Sequence, residues 1–380
     1  MLQVREYGIF SFSIYICHIK PFLRHNNCAL ITWAFICLTS TNLLGQKLTE
    51  LPLIGFPIGG YTPETRWGIG LAGSYHFQIS KKDTISPVSQ IQIGAVVTQN
   101  KQQVYSLPYS IFWKERAHQV YGELTYSNYL YYFFGTQSQP QEEKERYDSQ
   151  FLRFRFNYLK KIRPNIYAGA RWWLNDFKIT DFADDGNLIK GLVPGSNGGT
   201  ASGPGLIVLL DSRNKIYYTT TGSYLELVFH SQDKLFGSDF KYQRYRFDAR
   251  QFFPLSNKAI LGIQVFGDFM NGNVPFFEMT GVGGDKRMRG YLEGRFRDKN
   301  LALLQLEYRF RLSERWAFAA FGSTALIENS LTEFSIENAK WTGGAGIRYF
   351  FDPKKRMTIR IDAAYNGKTV LPYLSVGEAF

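Results

Sequence analysis

Charged and apolar residues alternate one for one through segments of strand length, and that alternation limits what this chain can fold into. From Phe151 to Lys161, Arg153, Arg155 and Asn157 take one set of alternate positions, and Leu152, Phe154, Phe156 and Tyr158 take the other. Arg244, Arg246, Asp248 and Arg250 alternate with Tyr245, Phe247 and Ala249. Gln305, Glu307, Arg309 and Arg311 alternate with Leu304, Leu306, Tyr308 and Phe310, and Thr358, Arg360 and Asp362 with Met357, Ile359 and Ile361. A period of two is that of a β-strand, so each segment has one arginine-bearing face and one oily face. The chain carries 24 Tyr, 32 Phe and 7 Trp. The alternative fold, a soluble all-β sandwich, would turn faces this aromatic to water, where they aggregate. The other solution puts the oily faces in lipid and the arginines in a lumen, because lipid-facing charge costs about 2–4 kcal/mol near the bilayer midplane. The mean hydropathy is −0.23, and no stretch beyond the N-terminal leader approaches the roughly 18 apolar residues of a membrane helix. The expectation is all-β: a transmembrane antiparallel β-barrel.

Read in order, strand patterns fall at 51–61, 67–79, 88–98, 102–113, 119–134, 151–161, 166–179, 205–210, 223–229, 240–253, 259–269, 301–312, 316–325, 340–350, 356–366 and 373–380. That makes about 16 strands, an even number as a single-chain barrel requires. The connections alternate in length. Lys114–Ala117, Arg163–Asn165, Pro254–Asn257, Leu312–Arg315 and Asp352–Lys355 are short, whereas 135–148, 181–200, 271–300 and 326–339 are long. Short periplasmic turns and long outer loops produce this alternation.

Residues 1–45 read as a signal peptide, with Arg24 and His25 before an apolar run that starts at Cys28 and ends at Gly45. Its basic region is long, which suggests a true start further downstream, and a short membrane anchor is the alternative. Residues 46–380 are then the barrel. All three cysteines, Cys17, Cys28 and Cys37, fall in the leader, so no disulfide is expected in the barrel. Without Arg5, Lys20, Arg24 and Glu6, three bases and one acid, the formal charge falls from +12 to +10. With the arginines inside the barrel, nucleic-acid binding is not expected, since that needs the basic residues outside.

The stretch from Gly281 to Tyr291, GVGGDKRMRGY, is rich in glycine and base. It lacks the order of a phosphate-binding loop, and a strand rather than a helix follows. A long arginine-bearing loop returning to a strand with one charged face suggests a loop folded into the barrel. Met288-Arg289-Gly290-Tyr291 on this loop resembles the Val/Met-Arg-Gly-Phe/Tyr motif of the BamA/TamA outer-membrane family, the bacterial surface antigens. Five strand patterns follow it. Asp211-Ser212-Arg213 with Gly222 resembles that family's Asp-x-Arg…Gly hairpin, and Gly377-Glu378-Ala379-Phe380 resembles its ending, where Phe380 would serve as a terminal assembly signal. The resemblance runs from about Leu51 to Phe380. It implies that Arg289 enters the lumen and pairs with acids on the next two strands. Glu307 matches the first acid. At the second, the family's Phe-x-Asp-x-Gly reads Phe321-Gly322-Ser323-Thr324-Ala325, so Ser323 is expected to leave half of the clamp neutral.

The resemblance further implies residence in the outer membrane of a Gram-negative bacterium, among outer-membrane lipid and lipopolysaccharide. It implies a part in assembling or translocating client outer-membrane proteins. The family's insertases carry periplasmic POTRA modules, for which the stretch before the first strand has no room, so a separate periplasmic partner is expected. A passive surface protein or a narrow, plugged pore is the alternative. Pro52, Pro57 and the glycines of the first strand would weaken its pairing with the last. No catalytic residues, cofactor or metal are expected. His76, His118 and His230 are scattered without ligand spacing, there is no Gly-x-Ser-x-Gly elbow, and Asp181, Asp184 and Asp185 lack the spacing of a calcium loop.

Overall fold

The computed structural model describes residues 53–62, 66–99, 101–137, 140–182, 186–215, 217–353 and 356–380. The expected signal peptide at 1–45, and Asp184 and Asp185, lie outside the described residues. The chain forms β1 Leu53–Thr62, β2 Arg66–Phe77, β3 Ser89–Thr98, β4 Gln103–Trp113, β5 His118–Gly135, β6 Pro140–Arg163, β7 Ile166–Phe182, β8 Gly199–Asp211 and β9 Gly222–Gln232. It continues through β10 Tyr242–Pro254, β11 Ala259–Gly272, β12 Thr280–Val282, β13 Phe296–Asp298, β14 Asn300–Arg311, β15 Trp316–Glu328, β16 Lys340–Asp352, β17 Met357–Tyr365 and β18 Val370–Val376. Sixteen strands make one sheet in chain order, each antiparallel to the next, while β12 and β13 pair separately within the β11–β14 connection.

The sheet is a transmembrane β-barrel whose polarity is the reverse of a soluble core. In β14, Leu303, Gln305, Glu307 and Arg309 are buried, while Leu304, Leu306 and Tyr308 are about 40% exposed on the outer face. The same holds in β17, where Arg360 and Asp362 are buried and Ile361 is exposed. Charge points into the lumen because the outward face meets hydrocarbon.

Three elements depart from the sequence reading. The polar stretch 137–148, expected as a loop, is mostly strand: β5, β6 and β7 have 18, 24 and 17 residues. Roughly 9–11 residues cross a bilayer, so these strands extend past it, and an arm outside the membrane has no need of an oily face. β8 begins at Gly199 rather than 205 for the same reason. The last strand stops at Val376. Gly377, at φ +81°, turns the final three residues out of the sheet.

The 273–299 connection turns back into the barrel. Phe276 packs among Phe133, Tyr147, Phe151 and Phe177 of β5–β7, with Leu188 and Val193 from the 183–198 connection. At the other end of the loop, Met288 packs with Phe266, Leu301, Leu303, Ala325 and Ile327 of β11, β14 and β15. The wall therefore curves around the loop.

A buried arginine clamp inside the barrel

The loop motif is shaped by its backbone. Gly283, Gly284, Met288 and Gly290 all have φ between +58° and +117°, a region that suits glycine and strains methionine. Met288 is held there by its N–H, which donates to Gln305 Oε1 at 2.8 Å, and by its fully buried side chain. A Cβ on Gly290 would lie 3.0 Å from Thr342 Cγ2, so the close approach to β16 also requires glycine.

This turn aims Arg289 into the lumen, where 1% of its surface is exposed. Its Nη2 donates to Glu307 Oε2 at 2.6 Å and its Nη1 to Asp362 Oδ2 at 2.5 Å, while the guanidinium lies 3.4 Å from the centre of the Phe321 ring. Glu307 also accepts from Arg309 at 2.7 Å and meets Arg348 at 3.4 Å. Asp362 meets Arg348 and, at 3.4 Å, Arg360. Arg360 donates to Asp285 on the loop at 3.0 Å, and Ser375 of β18 donates to the same carboxylate at 2.7 Å. Glu378 meets Arg348 at 3.1 Å and Arg309 at 3.7 Å. Four guanidiniums thus face four carboxylates. Charges this deeply buried need such partners, because taking an ion out of water costs several kcal/mol.

The neutral half-clamp expected at Ser323 is corrected by this geometry. Ser323 Oγ donates to Gln305 Oε1 at 3.1 Å, the oxygen that receives the Met288 N–H, so Ser323 supports the loop backbone and does not meet Arg289. The second acid is Asp362, two strands further on. The clamp also reaches the last strand: Gly290 N–H donates to the Tyr373 hydroxyl at 2.7 Å, and that hydroxyl donates to the Tyr291 carbonyl at 3.2 Å. Tyr291 stands edge-on to Phe296, with centroids 5.0 Å apart. Asp362 was legible as an inward acid from its alternation with Arg360; Asp285 and Glu378 lay within the loop and C-terminal motifs with no partner assigned to them, and Tyr373 carried no signal beyond its residue type.

The hairpin motif lies beside the clamp, at the β8–β9 turn, with the Tyr218 ring 5.5 Å from the Arg309 guanidinium. Arg213 donates to Asp211 at 2.9 and 3.2 Å and covers the Tyr224 ring at 4.4 Å. Gly222, at φ +105°, would bring a Cβ within 2.4 Å of the Ser212 carbonyl oxygen. The turn then sends Tyr218 inward onto Ile260, Ala317 and Phe350, and burial pushes its phenol up to about 12. Beside it the C-terminal residues fold into the lumen. Phe380 packs on Phe252 and Ala379, its backbone oxygen accepts from Arg309 at 3.0 Å, and Gly262 on the facing wall leaves its ring room. Phe380 therefore sits in the lumen and not on the outer face of the last strand.

Among the described residues, no group of three or more His, Cys, Asp or Glu gathers to hold a metal ion. The arrangement positions a loop, ties it to three wall strands and packs Tyr218 and Phe380 inside the lumen.

The fold has solved counterparts. BamA from Haemophilus ducreyi, in a structure lacking POTRA domains 1–3, aligns with a TM-score of 0.59 at 11% identity, over 86% of this chain and 69% of that one. CdiB from Acinetobacter baumannii aligns at 0.56 and 9%, over 85% and 59%, and CdiB from Escherichia coli at 0.58 and 12%, over 86% and 63%. This chain thus spans less than two thirds of either CdiB. No curated protein matches the sequence. The Omp85 superfamily domain matches residues 89–350. That match begins with β3 and ends in β16, taking in the inward loop, Arg289 and Glu307, and by it the chain belongs to the Omp85 superfamily.

Proposed function

We propose that this barrel sits in the outer membrane of a Gram-negative bacterium and takes part in assembling or translocating other outer-membrane proteins, with a separate partner supplying the periplasmic contacts. Membership of the Omp85 superfamily supports the setting. The observation that carries the reading is the link from Gly290 to Tyr373. Through it the inward loop is bonded to β18, the last strand of the sheet order, as well as to β14 and β17. β18 has seven residues, includes Pro372 and ends at a left-handed glycine. A strand this short and proline-broken pairs weakly. Displacing the loop and loosening the edge strand are then one event, as release of a client through the wall would require.

A second reading, a passive plugged barrel, draws on the closed charge balance of the clamp and on the packing of Tyr218 and Phe380 inside the lumen. Pull-down of the tagged barrel from crosslinked cells separates the two. Co-recovery of nascent outer-membrane proteins, or of one dedicated periplasmic partner, is the expected result. Recovery of the barrel alone would leave the passive reading standing.

A further inference from the structure

We propose that the lumenal wall around Arg171 and His230 binds a small oxyanion, a site independent of the clamp and of the assembly role. The strand register sets these residues in one row. Asn157 of β6 pairs with Arg171 of β7, Arg171 with Gly205 of β8, Gly205 with His230 of β9, and His230 with Arg244 of β10. All lie on the buried lumenal face. Gly205 gives the row its space: a Cβ there would come within 3.0 Å of Arg171 Cγ.

The basic groups converge on one indole. Around the Trp173 ring the guanidinium of Arg155 lies at 3.9 Å, that of Arg171 at 5.6 Å and that of Arg244 at 6.0 Å, and the His230 ring stands edge-on at 5.4 Å. Carboxylates do not match them. Arg155 pairs with Glu123 at 3.0 Å, Arg244 with Asp268 and Glu278 at 2.6 and 3.3 Å, and Arg246 with Asp268 at 2.8 Å. Glu278 also accepts from Asn175 and Trp173. With Arg153, which stacks on Phe151, five guanidiniums share the three carboxylates named here among the described residues. This contrasts with the four-to-four balance around Arg289.

The imbalance falls on Arg171 and His230. Arg171 is 3% exposed and His230 1%; among the described residues neither side chain has an ion-pair partner, and the buried Arg171 Nε and His230 Nδ1 have no hydrogen-bond partner. A buried guanidinium needs a counter-charge. The groups present are donors, and a guanidinium offers the forked pair of N–H groups that fits two oxygens of one anion, with the imidazole N–H as a third. Groups this deeply buried are reached by a small ion and not by a polymer, so the occupant is a tetrahedral oxyanion or a carboxylate of similar size.

The test uses the full barrel purified from outer membranes in non-ionic detergent, with inorganic phosphate as the probe and chloride at matched ionic strength as the comparison. Equilibrium dialysis of labelled phosphate should show one saturable site per barrel. Arg171→Gln should weaken it roughly tenfold or more, His230→Gln less, and Arg315→Gln on the exposed rim not at all. Thermal unfolding adds a sign that a merely structural role does not give. In phosphate the Arg171→Gln barrel should unfold below the parent, since the parent alone gains from the ligand. Without phosphate it should unfold at or above the parent, since an unpaired buried charge has been removed. Absence of saturable phosphate binding by the parent barrel overturns the proposal, and that measurement stands even if the variant fails to fold. Equal phosphate affinity in the Arg171→Gln barrel overturns it too, as does a loss of stability that phosphate does not alter.

Discussion

Asp362 of β17 accepts a hydrogen bond from Nη1 of Arg289 at 2.5 Å, across 73 residues of chain. The loop motif is thereby fixed to a strand well beyond the one that follows it. Because Glu307 of β14 holds the other arm of the guanidinium at 2.6 Å, Arg289 ties two separated strands together through the lumen.

Arg289→Ala should lower barrel stability by about 3–5 kcal/mol, the cost of leaving buried partners without their counter-ion. Heat-modifiable gel migration reads the change, and limited proteolysis should cut the 273–299 loop in the variant.

Combining Arg289→Ala with Asp362→Asn should cost less than the two single changes added together, with a coupling of about 0.5–3 kcal/mol for residues in direct contact. The same cycle with Glu307→Gln should also couple. Strict additivity with Asp362 would remove β17 from the clamp.

The C-terminal residues pack inside the lumen against Phe252 and Arg309, so removing Glu378, Ala379 and Phe380 should raise single-channel conductance in planar bilayers. Phe380→Ala should destabilise by about 3 kcal/mol, as for a large buried aromatic. Unchanged conductance after the deletion would mean that the inward loop alone sets the resistance.

The intact barrel should conduct weakly and prefer anions. Its lumen carries Arg153, Arg155, Arg171, Arg244, Arg246, Arg250, Arg309, Arg311, Arg348 and Arg360, with acids in part opposite, and a lumen lined by arginine disfavours cations. A large cation-selective conductance in reversal-potential measurements is the contrary result.

Asp83 supplies a pH-dependent contact in the β2–β3 turn. Its carboxylate accepts from the Ser86 hydroxyl at 2.7 Å and from the Ser86 and Glu115 amides at 2.9 Å, which hold its pKa down to about 2 from the ordinary 3.8. A carboxyl depressed in the folded state contributes above its ordinary value, and the contribution is lost as pH falls through the folded one. Amide exchange at Glu115, corrected for its intrinsic rate, should therefore be slow at pH 5 and speed up between about pH 4 and pH 2. Asp83→Asn should flatten that dependence.

Period-two alternation is a local property, and it determined most of the fold. Arg153, Arg155 and Asn157 against Leu152, Phe154 and Phe156 decide that a strand forms and which face carries charge. Lipid then decides that the charged face turns inward. The sixteen strands, the even count, the inward loop and the lumenal place of Glu307 follow from the same reasoning. The contacts of Arg289 did not follow. Ser323 stood where the family pattern holds an acid, yet the second acid is Asp362, because pairing depends on strand register and on the path of a 27-residue connection (273–299) through a shared lumen. The same non-local geometry turned Phe380 inward and left Arg171 beside His230 without a carboxylate. Alternation tells which residues enter the lumen. Only closing the sheet around the loop decides which of them meet, since charges on strands far apart in sequence become neighbours through the curvature of the wall.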